Sequence, residues 1–224
     1  MTATPPDDLE DRLGAVRRRI AAAGGDPARV AVVAVTKGFG PAAVEAAARA
    51  SLDVGENYAQ ELVAKQAELA GTPGAADVRW HFLGAVQRNK VRRLAPVVSV
   101  WQALVRAVEG EEIARAAPGT SVLVEVLTAP GSGRNGVPPR DVAPLVGQLR
   151  ALDLDVRGLM TVAPQDPAAA RAGFAAVTRL ADELGLAERS MGMTGDLELA
   201  VAEGSTMVRV GRALFGDRPT RRAP

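Results

Sequence analysis

The chain has 224 residues and a net charge of +1, with 27 basic and 26 acidic side chains interspersed along it, a balance without the electrostatic footprint of a nucleic-acid or membrane-surface binder. It contains no cysteine, which excludes disulfides, thiolate metal sites and cysteine nucleophiles, and its single histidine, His81, makes a multi-histidine metal centre or a serine–histidine relay hard to build. The start, MTATPPDDLEDRL, is not an export leader, and no window approaches the roughly 18 apolar residues of a membrane span, so a cytoplasmic protein with small-molecule partners is expected.

Taken in order, Asp7 and Asp8 precede a helix over about residues 7–23, whose apolar positions Leu9, Leu13, Val16 and Ile20 recur every three or four residues before Gly24 and Gly25 stop it. Val30–Val35 is a continuous run of β-branched and small residues, suited to a strand covered on both faces. Helix Pro41–Ala50 follows, then a short strand Leu52–Val54 emptying into Gly55-Glu56-Asn57-Tyr58, then helix Ala59–Leu69. After the loop Gly71–Ala76 come a third strand, Arg79–Gly84, a short helix Val86–Leu94, a fourth apolar run, Val97–Trp101, and helix Ala103–Ala117. Ser121–Leu127 is the fifth strand, and Thr128–Pro139 the longest loop. Helix Arg140–Leu152, strand Val156–Met160, helix Ala168–Leu184, strand Arg189–Met191, helix Asp196–Ala202 and strand Thr206–Val210 complete the alternation.

Eight strands alternating with helices over one chain length, without a linker-like shift in composition, predict a single (β/α)8 barrel of the TIM type with an extra N-terminal helix. One domain over 1–216 and a disordered tail over 217–224 are expected. An open doubly wound sheet would call for a GxGxxG loop after strand one, and TKGFGP is not one.

In such a barrel the strand C-termini converge on one rim. Lys37 follows strand one. It is one of only three lysines, with Lys65 and Lys90, in a chain that otherwise uses arginine, and lysine is the basic residue that can lose its proton and react. It is either a covalent anchor or a strand-ending lysine pointing to solvent. Across the rim, Ser190-Met191-Gly192-Met193-Thr194 and Val210-Gly211-Arg212 combine glycines and hydroxyls in a manner suited to a phosphate, though such stretches also simply turn the chain. An aldehyde bearing a phosphate would join the two ends, and pyridoxal 5'-phosphate fits that description. Arg209 then either faces the pyridine nitrogen or pairs with a carboxylate such as Glu198 or Glu203. His81 is either a buried, hydrogen-bonded side chain or a proton-transfer group. Asn57 contacts the ring or belongs to a turn, Met160 lies at the end of strand six, and Lys90 is a surface charge or a partner of Glu56. Glu61, Lys65 and Glu68 read as solvated pairs at helical spacing.

The motifs AVTK, GENYAQE, WHFLGAVQRNK, RGLMTVAP, SMGM and GSTMVRVGRALFG, in this order, resemble the YggS/PROSC family of pyridoxal phosphate homeostasis proteins over about residues 30–216. The resemblance implies the barrel of the alanine racemase N-terminal domain, a fold-type III cofactor-binding barrel, with the cofactor as a Schiff base on Lys37. It implies that Asn57, Ser190, Gly192, Thr194, Arg209 and Gly211 line the cofactor, and Met160, from its place on the rim, is expected beside them. The implied role is holding or delivering vitamin B6 cofactor, possible recipients being apo-enzymes, without established turnover, catalytic residues or metal, and a monomer is compatible with it. The alternative is an enzyme such as an amino-acid racemase, and a third reading is a barrel for another phosphorylated metabolite. Racemisation needs acid/base groups on both faces of the substrate carbon, and the chain has one tyrosine, Tyr58. Three departures stand out: Arg212 where the family commonly has serine or threonine, Trp101 where it usually has aspartate, and Thr194-Gly195 in place of serine and a polar residue.

Overall fold

Apolar runs covered on both faces have to be roofed by helices, and the helices supply matching apolar stripes. The computed structural model describes residues 8–72, 77–128 and 135–217. Its elements are α1 (Leu9–Ala22), β1 (Ala31–Val35), α2 (Pro41–Arg49), β2 (Asp53–Glu56), α3 (Ala59–Glu68), β3 (Trp80–Phe82), α4 (Arg88–Leu94), β4 (Val98–Leu104), α5 (Ala107–Ala116), β5 (Ser121–Glu125), α6 (Pro139–Ala151), β6 (Asp155–Met160), α7 (Pro167–Glu183), β7 (Glu188–Ser190), α8 (Leu197–Ala202), β8 (Met207–Val210) and α9 (Arg212–Phe215). The strands form one closed barrel in the order β1 to β8. Every pairing is parallel, and β8 returns to β1 through Val33↔Arg209.

The period of two splits each strand between two environments. Val32, Ala34, Val54, Trp80, Phe82, Val122, Val124, Leu159, Val208 and Val210 join one large apolar cluster with helix residues such as Ile20, Leu62, Ile113, Leu149 and Phe174. Val100, Ala103, Leu123 and Met160 form a second, smaller cluster apart from it, inside the barrel. Truncating a wholly buried member of the larger cluster such as Leu62 to alanine is expected to cost about 2–5 kcal/mol.

Four local expectations are corrected. Asp8 stands at the start of α1, but its carboxylate accepts from Arg12 Nε at 2.8 Å and makes no capping bond; Asp7 lies outside the described residues. β4 runs three residues beyond Trp101, with a register irregularity between Trp101 and Leu104, and so the next helix begins at Ala107 rather than Ala103. Its start is fixed by Glu109, whose carboxylate accepts from the N–H groups of Val105 and Arg106 at 2.9 and 3.1 Å. β5 stops at Glu125, the chain continuing into a single bridge, Val126↔Val137. The segment after β8 closes as a one-turn helix, α9, too short to show a periodicity. Residues 73–76, 129–134 and 218–224, which include parts of two expected loops and nearly all of the expected tail, lie outside the described residues. Among those described, no helix is long and apolar enough to cross a membrane.

Candidate functional site

Lys37 occupies a corner of a tight turn at the C-terminal end of β1. Phe39 N–H donates to Thr36 O at 3.0 Å, and between them Gly38 takes φ 78°, a conformation glycine adopts without strain. Thr36 is wholly buried and Lys37 half-buried.

The turn is tied from behind by a cluster that sequence reasoning misread. Lys65, on α3, is 4% exposed; its Nζ donates to Thr36 O at 2.7 Å and pairs with the wholly buried Glu56. Glu56 Oε1 also accepts from Thr36 Oγ1 at 2.9 Å, and its Oε2 from Asn57 N–H at 3.1 Å. Glu61 lies 3.7 Å from Lys65 Nζ and accepts from Gly38 N–H at 2.8 Å. Burial pushes the Glu56 carboxyl up, and the opposing pull of Lys65 and Thr36 does not fully cancel it. Glu61 and Lys65 are therefore not ordinary solvated partners, and Glu56 is matched by Lys65 rather than by Lys90. A sequence signal existed: Leu62, Lys65 and Leu69 share one apolar stripe of α3 at i, i+3, i+7, which places the lysine against the barrel.

On the β8 side of β1, the loops after β7 and β8 present a backbone cradle. The N–H groups of Gly192, Thr194, Gly195, Gly211 and Arg212 donate to no other described residue, so they are available to an anion. Gly192 takes φ 90° and packs so tightly that an added Cβ would lie 2.6 Å from Ala200 Cβ. Gly211 runs beside the lysine strand, where a Cβ would come within 3.1 Å of Val35 O. Thr194 Oγ1 accepts from Ala213 N–H at 3.3 Å, which links the two loops and leaves the hydroxyl proton free to donate. From outside, Arg19 on α1 binds Thr194 O at 2.8 Å while paired with Glu198. The N-terminal helix thus braces the cradle.

Between these two halves, the barrel interior is crossed by a chain of hydrogen bonds. Arg209 Nη1 donates to Ser190 O and Oγ at 2.6 and 2.8 Å, and Nη2 to Thr161 O at 2.8 Å. Ser190 Oγ donates to Gln102 Oε1 at 2.6 Å, and Gln102 Nε2 donates to His81 Nδ1, also at 2.6 Å. That leaves the His81 proton on Nε2, facing Asp53 Oδ2 at 2.9 Å. Asp53 is pulled upward by burial, but the hydrogen bond from His81 and the charge of Arg79 outweigh it and hold the carboxyl below its ordinary value. His81 is thus a buried, hydrogen-bonded side chain. Neither alternative partner of Arg209 applies, since Glu198 pairs with Arg19 and Glu203 with Arg171. Burial draws the Arg209 guanidinium down to about 10, against the pull of Asp196 and Glu125, and it is still a cation at neutral pH.

Sequence reasoning missed Gln102 and Glu125, both inside strands. Glu125 lies in register with Met160, which is itself in register with Ser190. Its carboxylate is nearly buried, forms no side-chain hydrogen bond among the described residues, and is pushed up by burial, with Arg209 pulling down and Glu109 adding to the rise. Of the departures, Arg212 is exposed, and Trp101 is wholly buried on the helix side, edge-on to Phe82 at 5.6 Å.

Comparison with known proteins shows the family. The model of the alanine racemase N-terminal domain matches residues 7–219. The pyridoxal phosphate homeostasis protein of Deinococcus radiodurans is 42% identical over 212 residues, covering 91% of this chain and 97% of that one. The protein of the same name from Pseudomonas aeruginosa is 40% identical, covering 96% of each. The solved structure of Synechococcus elongatus PipY with pyridoxal phosphate bound is 34% identical, with a TM-score of 0.75, over 90% of this chain and all of that one. The chain belongs to the alanine racemase N-terminal domain family and, within it, to the pyridoxal phosphate homeostasis proteins.

Proposed function

We propose that the chain holds pyridoxal 5'-phosphate as a Schiff base on Lys37 and serves cofactor homeostasis. The observation that carries this reading is the meeting, on one rim, of the Lys37 turn with a cradle of five N–H groups that have no partner among the described residues, brought together where Gly211 packs against Val35 O. The donor set suits the ligand. An aldehyde supplies an electrophilic carbon, and lysine is the side chain that condenses with it, the C=N bond forming as the aldehyde oxygen leaves as water. Backbone N–H groups, the Thr194 hydroxyl and the nearby Arg209 charge suit a phosphorylated, acidic ring compound.

In this reading Gly192, Thr194 and Gly211 hold the phosphate, Asn57, Met160 and Arg209 face the ring, and Ser190 acts by orienting Arg209. A permanent cation near the pyridine nitrogen disfavours its protonation and weakens the ring as an electron sink. Tyr58, the one tyrosine, is 54% exposed. Both points favour carriage over turnover. The same reading takes residues 1–216 as one domain, acting as a cytoplasmic monomer that supplies apo-enzymes.

The test is direct. Purified protein given pyridoxal 5'-phosphate acquires a near-visible absorption band, Lys37→Ala does not, and borohydride reduction followed by mass spectrometry finds the pyridoxyl group on Lys37 among three lysines. Identical spectra with and without cofactor overturn the proposal, while racemisation of alanine or serine at enzyme-like rates, lost with Lys37→Ala, moves the function to catalysis.

A further inference from the structure

We infer that Glu56, Glu61 and Lys65 are positioning residues for the Lys37 amine, an assignment that rests on the Schiff-base reading above. A four-carbon side chain has several rotatable bonds, so its amine reacts at a defined carbon only if the backbone it leaves from is fixed. Here both neighbours of Lys37 are fixed from one charged cluster. On the N-terminal side, Thr36 is gripped twice, its carbonyl by Lys65 Nζ at 2.7 Å and its hydroxyl by Glu56 Oε1 at 2.9 Å. On the C-terminal side, Gly38 N–H donates to Glu61 Oε2 at 2.8 Å. The two clamps are joined, because Lys65 pairs with Glu56 and lies 3.7 Å from Glu61.

The cluster also reaches the loop after the neighbouring strand β2. Glu56 Oε2 accepts from Asn57 N–H at 3.1 Å, so the carboxylate that orders Thr36 sets the first residue after β2 as well. Desolvating a lysine and a glutamate here is unfavourable unless pairing and hydrogen bonds compensate. An apolar pair would serve packing alone. What the charges add is specific to the turn: a donor for one carbonyl and acceptors for two N–H groups and a hydroxyl, all at the residues that bracket Lys37 and Asn57. The inferred role is to restrict where the amine can point, without touching the phosphate cradle formed after β7 and β8.

Two ligands separate this from general stability. Pyridoxal 5'-phosphate uses the amine and the cradle, whereas pyridoxine 5'-phosphate, with an alcohol in place of the aldehyde, uses the cradle and ring contacts only. Glu61→Ala removes the outer clamp at a partly exposed position, and Glu61→Gln keeps an acceptor for Gly38. Glu56→Gln with Lys65→Met removes the buried charges together, leaving neither unpaired. The expected result is dissociation constants for the aldehyde raised on the order of tenfold in Glu61→Ala and in the double variant, those for the alcohol staying within about twofold in Glu61→Ala, whose clamp does not reach Asn57, and recovery in Glu61→Gln. Equal weakening of both ligands, or no weakening of either, overturns the inference. If wild-type protein forms no adduct on Lys37, the Schiff-base reading itself has failed, which the wild type alone reveals, and the positioning role falls with it.

Discussion

The Ser190 hydroxyl accepts from Arg209 Nη1 at 2.8 Å and donates to Gln102 Oε1 at 2.6 Å. The buried Arg209 charge is thereby oriented by an amide inside the barrel, and through His81 by Asp53, which is partly open to solvent. Every proton in this chain has one acceptor, so no member can be removed without stranding a neighbour.

Gln102 is the most sensitive link. Gln102→Leu preserves approximate volume but leaves the Ser190 proton and the His81 Nδ1 lone pair unpartnered where neither meets water. Each such group costs about 1–3 kcal/mol, so denaturant unfolding of unliganded protein is expected to lose about 2–6 kcal/mol with an unchanged slope. A loss no larger than that of an exposed substitution would mean that the chain is not required for the fold.

Asp53 and Glu125 are expected to respond to pH in opposite senses. The folded state holds Asp53 below its ordinary value, so its contribution is fully present above that value and is lost as pH falls through the depressed one. Asp53→Asn should therefore lower the melting temperature at neutral pH, the gap to wild type closing in strong acid. Glu125 is held above its ordinary value, so its charge costs stability once pH exceeds the raised value, and the cost vanishes below the ordinary one. Glu125→Gln should raise the melting temperature at neutral pH and match wild type in acid. Melting curves across pH for the two variants check both signs.

The barrel was legible in the sequence because its strands are buried on both faces, and AVVAV and SVLVE have no other natural environment. β4 was only half legible, since VWQALVRAV satisfies a helical period as readily as a strand, and only pairing with β5 keeps Gln102 to Leu104 extended. Lys37, Gly192 and Gly211 could be named as candidates because their chemistry or backbone freedom is unusual for their place. Gln102 could not, because its role exists only once the closed barrel sets it against Ser190, 88 residues away. Lys65 was misjudged by charge alone, although its spacing from Leu62 already put it on the buried stripe.

The bracing of the cradle by α1 is testable at Arg19. Its guanidinium is partly exposed and pairs with Glu198 while binding Thr194 O. Exposed ion pairs contribute little to stability, so Arg19→Met is expected to leave the melting temperature nearly unchanged. The carbonyl it releases belongs to the loop proposed above to hold the phosphate, and affinity for pyridoxine 5'-phosphate should fall. Unchanged affinity for that ligand would assign Arg19 to the helix surface alone.

Gly192 tests the cradle from within. Its φ of 90° disfavours any side chain, and a Cβ there would stand 2.6 Å from Ala200 Cβ on α8. Gly192→Ala therefore combines backbone strain of about 1–3 kcal/mol with a steric clash. Ala200→Gly removes the clash partner but leaves the strain, at a helix-propensity cost of about 1 kcal/mol of its own. In a double-mutant cycle the two changes should be less damaging together than the sum of each alone, by the clash, and the double variant should remain less stable than Ala200→Gly by the strain. Additive losses would show that α8 simply moves aside, and the loop would then owe its shape to φ alone. Phosphate affinity should fall in both Gly192→Ala backgrounds, because the strain acts on the same backbone that aims the Gly192 N–H.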